Sequence, residues 1–385
     1  MSNGLASSMA SSKKVLLIGP AYPYRGGLAA FNESLAYALQ AAGCQVELIT
    51  FTLQYPGVFF PGKTQFSEDS APVGLVIQRK ISSVNPLNWL KVGWELRQRR
   101  ADVIITAFWL PFMGPSLGTI LRFIGGAKVR KIGLVHNIIP HERRFGDRFF
   151  ARYFTASNDA FMTLSSSVAT ELADFSQAPV RTSPHPIYDS YGDPVGKLEA
   201  RAKLNLDPGA RYLLFFGFIR EYKGLDLLLE ALADERLQEK QVKLILAGEY
   251  YGNEAKYEDM IDRLGIRDWV VSHTRFISNE EVRYFFGAAD LVVQPYRTAT
   301  QSGISQLAYH FDKPMIVTRV GGLPEIVPHG KAGYVIDQDP SQLADAVLDF
   351  YSNNREEDFK AGLREQKKRF SWSGFVQVLE ELFPA

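Results

Sequence analysis

Nothing constrains this chain more than a doubled alternation of continuous apolar runs with helical patterns. KVLLIGP (14–20), QVELITF (45–51), ADVIITAF (101–108), KIGLVHN (131–137) and DAFMTLS (159–165) make a first series. RYLLFFGFI (211–219), VKLILAGE (242–249), DLVVQPY (290–296) and MIVTRVG (315–321) make a second. Helical spacing of apolar residues marks Phe31 to Ala42, the stretch from Ser166, and then 224–234, 279–289, 302–311 and 341–352. A run that is apolar throughout, rather than at every second residue, is buried on both faces. Strands of that kind alternating with helices make a parallel sheet covered on each side.

The two series meet at SPHPIYDSYGDPVGKLEARAKLNLDPG (183–209), whose early prolines and glycines and scarcity of apolar residues read as a linker. The expected fold is therefore α/β, with two Rossmann-like doubly wound domains facing across a cleft. Expected bounds are a first domain over 15–186, a linker over 187–210 and a second domain over 211–369. Parallel sheets bind ligands beyond the carboxyl ends of their strands, so the cleft is where a site belongs.

A chain of 385 residues suits two domains, and its net charge of +1 offers no global field for nucleic acid. The lone cysteine, Cys44, excludes an internal disulfide and fits a reducing compartment. Its surroundings read as packing. Residues 1–14, small and polar, are expected to be a flexible tail without the apolar core of a signal peptide. No apolar run of about eighteen residues predicts a membrane span.

Chemistry is carried by the turns after the strands. Gly26 and Gly27 let a ligand approach the amino end of a helix, where free N–H groups favour an anion, and Arg25 adds charge. In the second domain, Arg220 and Lys223 follow a strand three residues apart. Such a pair can hold a diphosphate, one as a fork and one as a point charge. The loop TATQSG (298–303) leads into a helix with hydroxyls on Thr300 and Ser302 and close approach at Gly303. Gly321 and Gly322 make a further turn. Singly, each is equally an ordinary turn or a solvated loop; together they place several phosphate-sized cradles on one rim.

The "GG" turn, "VHN", "KGLDLLLEA", "LAGE", "AADLVVQPY" and "KPMIVTRVGGLPEIVPHGKAGYVI" stand in this order along essentially the whole chain. The series resembles the retaining glycosyltransferase family 4, of GT-B fold. The resemblance implies that Gly26 and Gly27 face donor phosphates, that His136 stands near the transferred sugar, and that Lys223, with Arg220, lies under the diphosphate. It also implies donor contacts from Phe218, Ile277 and the Thr300–Gly303 loop, no bound metal, no cofactor beyond the nucleotide-sugar, and a closing helix in 370–385 that crosses back to the first domain. The family's usual arginine five residues before the lysine is Phe218 here. Its two glutamates before "KP" fall at Ala299 and Leu307, and no Asp or Glu lies between Asp290 and Asp312. Gln301, Ser302 and Gln306 are the polar candidates left near the donor.

Asn137, His141 and Glu142 follow His136 and are expected, with Arg25, to line the acceptor side. No metal set is read from His136 and His141, which lack a third ligand. Glu325 reads equally as a donor contact or as a carboxylate in the first turn of its helix. The stretches 85–100 and 107–131 mix Trp89, Trp94, Trp109, Phe112 and Phe123 with Arg97, Arg99, Arg100, Arg122, Lys128, Arg130 and Lys131, a composition that suits an anionic membrane surface or an ordinary helix pair. The aromatic insert 51–69 is expected to overhang the acceptor side. The leading expectation is a cytoplasmic retaining glycosyltransferase, peripheral on the inner face of a membrane, taking a nucleotide-diphosphate sugar to a glycan or lipid-linked acceptor. A non-catalytic sugar-nucleotide or glycan-binding protein is the alternative, and an epimerase or phosphorylase a third.

Overall fold

Two fully parallel sheets organise the chain in this computed structural model, which describes residues 12–56, 64–67, 70–126, 129–140, 145–187, 191–252, 254–300 and 302–384. The first holds β1 (Lys14–Ile18), β2 (Gln45–Leu53), β3 (Val76–Ser82), β4 (Val103–Phe108), β5 (Arg130–Val135), β6 (Ala160–Thr163) and β7 (Val180–Thr182) in the order β3-β2-β1-β4-β5-β6-β7. The second holds β8 (Arg211–Phe216), β9 (Val242–Ala247), β10 (Val270–His273), β11 (Leu291–Gln294), β12 (Met315–Thr318) and β13 (Gly333–Ile336) in the order β10-β9-β8-β11-β12-β13. Both orders reverse beside their first strand, between β1 and β4 and between β8 and β11. Ligands settle at such switch points.

Helices of the first half are α1 (Gly27–Ala41), α2 (Pro86–Gln98), α3 (Gly114–Ile124), α4 (Asp147–Thr155) and α5 (Ser166–Leu172). Those that follow are α6 (Lys197–Lys203), α7 (Leu225–Leu232), α8 (Glu235–Glu239), α9 (Glu254–Arg263), α10 (Asn279–Ala288), α11 (Gly303–His310), α12 (Leu323–Ile326), α13 (Pro340–Ser352), α14 (Glu356–Gln366) and α15 (Trp372–Glu380). The side chains of α2 to α5 cover one face of the first sheet in a cluster built on Leu16, Ile104 and Phe108. The opposite face packs α1 in a second cluster that continues through α15 into the second half, to Tyr212, Phe285 and Tyr309. Phe31 of α1 meets the rings of Trp372 and Phe375 at 5.2 and 5.8 Å.

Several elements depart from expectation for physical reasons. Helix α1 starts at Gly27, four residues before Phe31, because Gly26 (φ 108°) breaks the chain into it and its first turn is made of small residues. Strands β3, β10 and β13 lie at sheet edges or are short, so they lack the run that burial on both faces demands. Within the expected linker, α6 packs on α10; its anchor is Arg201, 5% exposed, paired at 3.1 Å with the buried Asp290. An ion pair rather than an apolar stripe fastens that helix, and so it reads as polar linker. The expected tail also ends early. Ser12 donates to the Gly43 carbonyl at 2.8 Å and Lys14 opens β1. Cys44, half-buried, has its thiol pushed up by burial and then by Glu380, as befits a packed residue.

Candidate active site in the cleft

The strand ends of both halves open on a cavity of about 720 Å³. From the first half come Tyr22, Tyr24, Arg25, Gly26 and Gly27 after β1, with Glu33 one turn into α1. From the second come Phe216, Gly217, Phe218 and Lys223 after β8, Gly248 and Glu249 after β9, Phe276 and Ile277 after β10, and Gly303, Ile304 and Leu307 on α11. At Gly26, φ is 108° and an added β-carbon would meet nothing within 4 Å, so backbone geometry rather than space asks for glycine there. Gly217 differs. Its β-carbon would lie 3.2 Å from the Lys223 ammonium and 3.3 Å from Ile304, so its absence makes the room in which the lysine sits.

Lys223 ends a short 3-10 turn, Glu221–Lys223, and is 8% exposed. Its backbone N–H donates to the Arg220 carbonyl at 3.0 Å, and its ammonium lies 5.7 Å from the centre of the Tyr296 ring. Burial, and then the Arg220 charge, push its pKa down to about 7. Among the described residues no carboxylate pairs with it. Arg220 stands outside the cavity wall, its guanidinium 3.7 Å from the Tyr251 ring centre. The hydroxyl of half-buried Tyr55, which accepts from Trp109 Nε1 at 2.6 Å, feels both Tyr251 and Arg220. The two cations expected to act as a pair are thus divided, one in the cavity and one against aromatic rings beside it.

The first half presents its cation differently. Arg25 reaches across the cleft to Glu249 at 3.0 Å, with side chains 8% and 14% exposed, and lies 4.2 Å over the Phe276 ring. The charge expected to attract an anion is met by a carboxylate. Glu33 accepts from the Tyr22 N–H at 2.7 Å, and Arg275 is held by Glu281.

His136 follows β5 and lies beneath the cavity rather than on its wall. It meets Phe31 edge-on at 5.0 Å, and His185 packs on the same ring at 4.7 Å. Burial pushes the two imidazoles down to about 3 and about 4, so both are neutral at physiological pH. His136 Nε2 is buried with no hydrogen-bond partner among the described residues. Its neighbour Asn137 accepts from the Thr300 hydroxyl across the two halves. Ser302 caps α11, its hydroxyl accepting from the Ile304 N–H at 3.2 Å and lying 3.3 Å from the Tyr296 hydroxyl. Gln306 is fully buried and neither end of its amide has a partner among the described residues. Glu325 accepts from the Ser166 hydroxyl at 3.3 Å across the halves, away from the cavity. The Gly322 N–H donates to the Thr300 carbonyl at 3.2 Å, so that turn braces the Thr300 loop.

The structure therefore gathers Arg25, Gly26, Gly27, Phe218, Lys223, Ile277 and Gly303 around one cavity. It sets Arg220, His136, Asn137, Thr300, Ser302, Gln306 and Glu325 behind or beside it. His141, Glu142 and Gln301 lie outside the described residues, as do 57–63 and 68–69 of the aromatic insert. Leu307 is on the wall and Ala299 is 8% exposed, so neither site of the absent glutamates supplies charge. Sequence reasoning missed Glu33, Glu249 and Phe276. A residue just past the carboxyl end of an apolar strand, as Glu249 is in LAGE, was the available signal. Among the described residues no group of three metal-ligating side chains forms.

Two family models divide the chain. Residues 25–190 match Glycosyltransferase Family 4 and residues 196–369 match Glycosyl transferases group 1. D-inositol 3-phosphate glycosyltransferase of Pseudarthrobacter chlorophenolicus is 26% identical over 355 residues, covering 85% of this chain and 82% of that protein. Sucrose-phosphate synthase of Thermosynechococcus elongatus superposes with a TM-score of 0.74 at 20% identity, over 96% of this chain and 98% of that one. Anabaena HepE, solved with UDP and glucose, superposes with a TM-score of 0.70 at 18% identity, over 96% and 98% of the two chains.

Proposed function

We propose that this chain, which belongs to glycosyltransferase family 4, is a retaining enzyme that moves a sugar from a nucleotide-diphosphate donor to a glycan or lipid-linked acceptor in cell-surface polysaccharide or glycolipid synthesis. The observation that carries the donor half is Lys223, a buried cation facing the cavity with no carboxylate paired to it among the described residues. A protein leaves such a charge unpaired when an anionic ligand is to complete the pair, since an isolated buried charge is costly. Lys223 and the amino ends of α1 and α11 would face the diphosphate, with the apolar wall of Phe276, Ile277 and Ile304 beside the nucleoside.

Catalysis is then positioning plus stabilisation of the leaving diphosphate. The bond from the anomeric carbon to phosphate oxygen breaks, the bond to the acceptor hydroxyl forms on the same face, and the departing phosphate takes the hydroxyl proton. With Ala299 in the loop before α11 and Leu307 on that helix, no carboxylate there serves as a nucleophile. Neutral His136, packed edge-on against Phe31 behind the cavity, would support the wall against which the sugar lies, and Asn137 holds the Thr300 loop beside it. Arg220 acts on Lys223 through its charge. In this reading neutralisation falls to Lys223 and the helix ends, without a metal. A lipid-linked acceptor would draw the enzyme, as a peripheral protein, to the inner face of a membrane.

A thermal-shift screen against UDP, GDP, TDP and ADP and their sugars, with and without EDTA, tests this. A nucleotide at a hundred times its dissociation constant should stabilise by about 2.7 kcal/mol, for one base and regardless of EDTA. No shift with any nucleotide would overturn the donor assignment. The absent glutamates favour a second reading, a non-catalytic sugar-nucleotide or glycan-binding protein; donor binding with no transfer to a broad acceptor panel would establish it.

A further inference from the structure

The stretches rich in tryptophan and arginine are sorted by the structure into two groups. Trp89 is half-buried, its indole N–H donating to the Ser82 carbonyl at 2.6 Å, and Trp109 is 8% exposed. Arg99 pairs with Glu47, and Arg130 donates to the Leu382 carbonyl at 3.0 Å. These belong to the fold. What remains outside is one face. Leu87, Leu90 and Trp94, at helical spacing on α2, are 77%, 37% and 62% exposed, with Lys91 between them and Arg97 one turn on. Phe123 of α3, 46% exposed, borders them, since its β-carbon lies 2.6 Å from where a Gly93 side chain would begin.

Helix α4 packs on the other side of α3 and adds Phe149, 69% exposed, beside Arg152 and beside Arg148, which pairs with Asp174 at 3.9 Å. The only acids on these three helices are Glu95, paired with Lys80 and Arg99, and the buried Asp147. Among the described residues no carboxylate pairs with Lys91, Arg97 or Arg152. Large apolar side chains left in water and interleaved with unpaired cations are what an anionic lipid headgroup layer accepts: rings and aliphatic chains enter the interface while cations meet phosphates. Because α2 and α4 return antiparallel to the strands, their amino ends, with Leu87 and Phe149, lie on the cleft side.

We propose that the outer face of α2, with the Phe123 and Phe149 flank, is a docking surface for an anionic lipid membrane, set so that the cleft opens beside the headgroups. The purpose of the face rests on the lipid-linked acceptor proposed above; its chemistry does not. The full-length chain should sediment with vesicles of phosphatidylcholine and phosphatidylglycerol, weakly with phosphatidylcholine alone, and less as salt is raised. Leu87→Glu with Trp94→Glu should lower partitioning by about tenfold or more, and Lys91→Glu with Arg97→Glu should remove its salt dependence. Both variants should keep the wild-type nucleotide shift, which certifies their fold and cleft. Wild-type protein that stays in solution with anionic vesicles overturns the proposal. So does a double variant that partitions like wild type, or one whose only change is a new oligomeric state, which would make the face a contact between copies. Lys223→Ala separates the two readings: it should lose nucleotide binding while still sedimenting with anionic vesicles.

Discussion

The two walls of the cleft are built alike and charged differently. Each is the switch point of a parallel sheet, and each carries a cation after its first strand, Arg25 after β1 and Lys223 after β8. Arg25 is spent: Glu249 neutralises it and Phe276 lies beneath its guanidinium. Lys223 is buried, unpaired among the described residues, and has its pKa pushed down to about 7 by burial and then by Arg220. One cation is a strut between the halves; the other, in the function proposed above, is the seat of an anion. Residue type fits the division. A guanidinium stays charged and forks onto a carboxylate, whereas a buried ammonium shifts its pKa readily.

The largest effect should follow from removing the seat. Lys223→Met should weaken nucleotide binding by about a hundredfold, the scale of one buried charge-assisted contact. The same change should raise the melting temperature of the nucleotide-free protein. Lys223 is depressed to about 7 in the folded chain, below its unfolded value. Between those two values the unfolded chain holds a proton that the folded chain has released. Stability therefore rises with pH through that window, and the full penalty of burial is felt below about 7. The methionine variant should gain most at pH 6 and lose its advantage as pH climbs. A variant that bound the screened nucleotide normally, or melted lower at pH 6, would erase the contrast between the walls.

The strut should respond in the opposite sense. Glu249→Gln leaves the Arg25 guanidinium buried without its counter-charge and should destabilise the protein by about 3 kcal/mol, read by denaturant titration. It should also turn Arg25 into a second seat. The nucleoside diphosphate picked out by the thermal-shift screen, supplying the missing negative charge, should bind several-fold more tightly by calorimetry and restore much of the lost stability. An affinity unchanged or weakened would show that Glu249 itself serves the ligand and that the walls are not divided as described.

How much of this could be read beforehand follows from where the information lies. The doubled apolar strands state both sheets, because Leu16 to Ile18 or Leu244 to Ala247 could not be so continuously apolar unless covered on both faces. Edge strands such as β3 escape that reading, and α6 escapes because its buried Arg201–Asp290 pair looks like solvated charge in one dimension. In the site, turns that face the cavity by their own backbone were legible, as at Gly26 and Gly27. Lys223 and Arg220 read as equals because both follow β8, yet a cation three residues away in a tight turn points elsewhere. The pairing of Arg25 with Glu249 spans 224 residues, and no local pattern announces it.

The effect read across pH is the one that separates the two cations most cleanly. The free Lys223 ammonium loses its proton near pH 7, and the groups nearest it are the Arg220 charge, which favours that loss, and the Tyr296 ring, whose hydroxyl burial keeps neutral. A bound diphosphate brings negative charge beside the amine and raises its pKa. Below about 7 the lysine is protonated with or without ligand, so Lys223 adds no slope to the affinity. Above it, binding must take up a proton, and affinity should fall by up to about tenfold per pH unit. Calorimetry at pH 8 in two buffers of different ionisation enthalpy should register that uptake directly. Glu249→Gln leaves Lys223 and its surroundings as they are, so it should tighten binding while keeping the wild-type pH dependence. Lys223→Met should abolish the dependence together with the proton uptake. A slope that survived in Lys223→Met would assign the titrating group elsewhere and leave the buried lysine as packing alone.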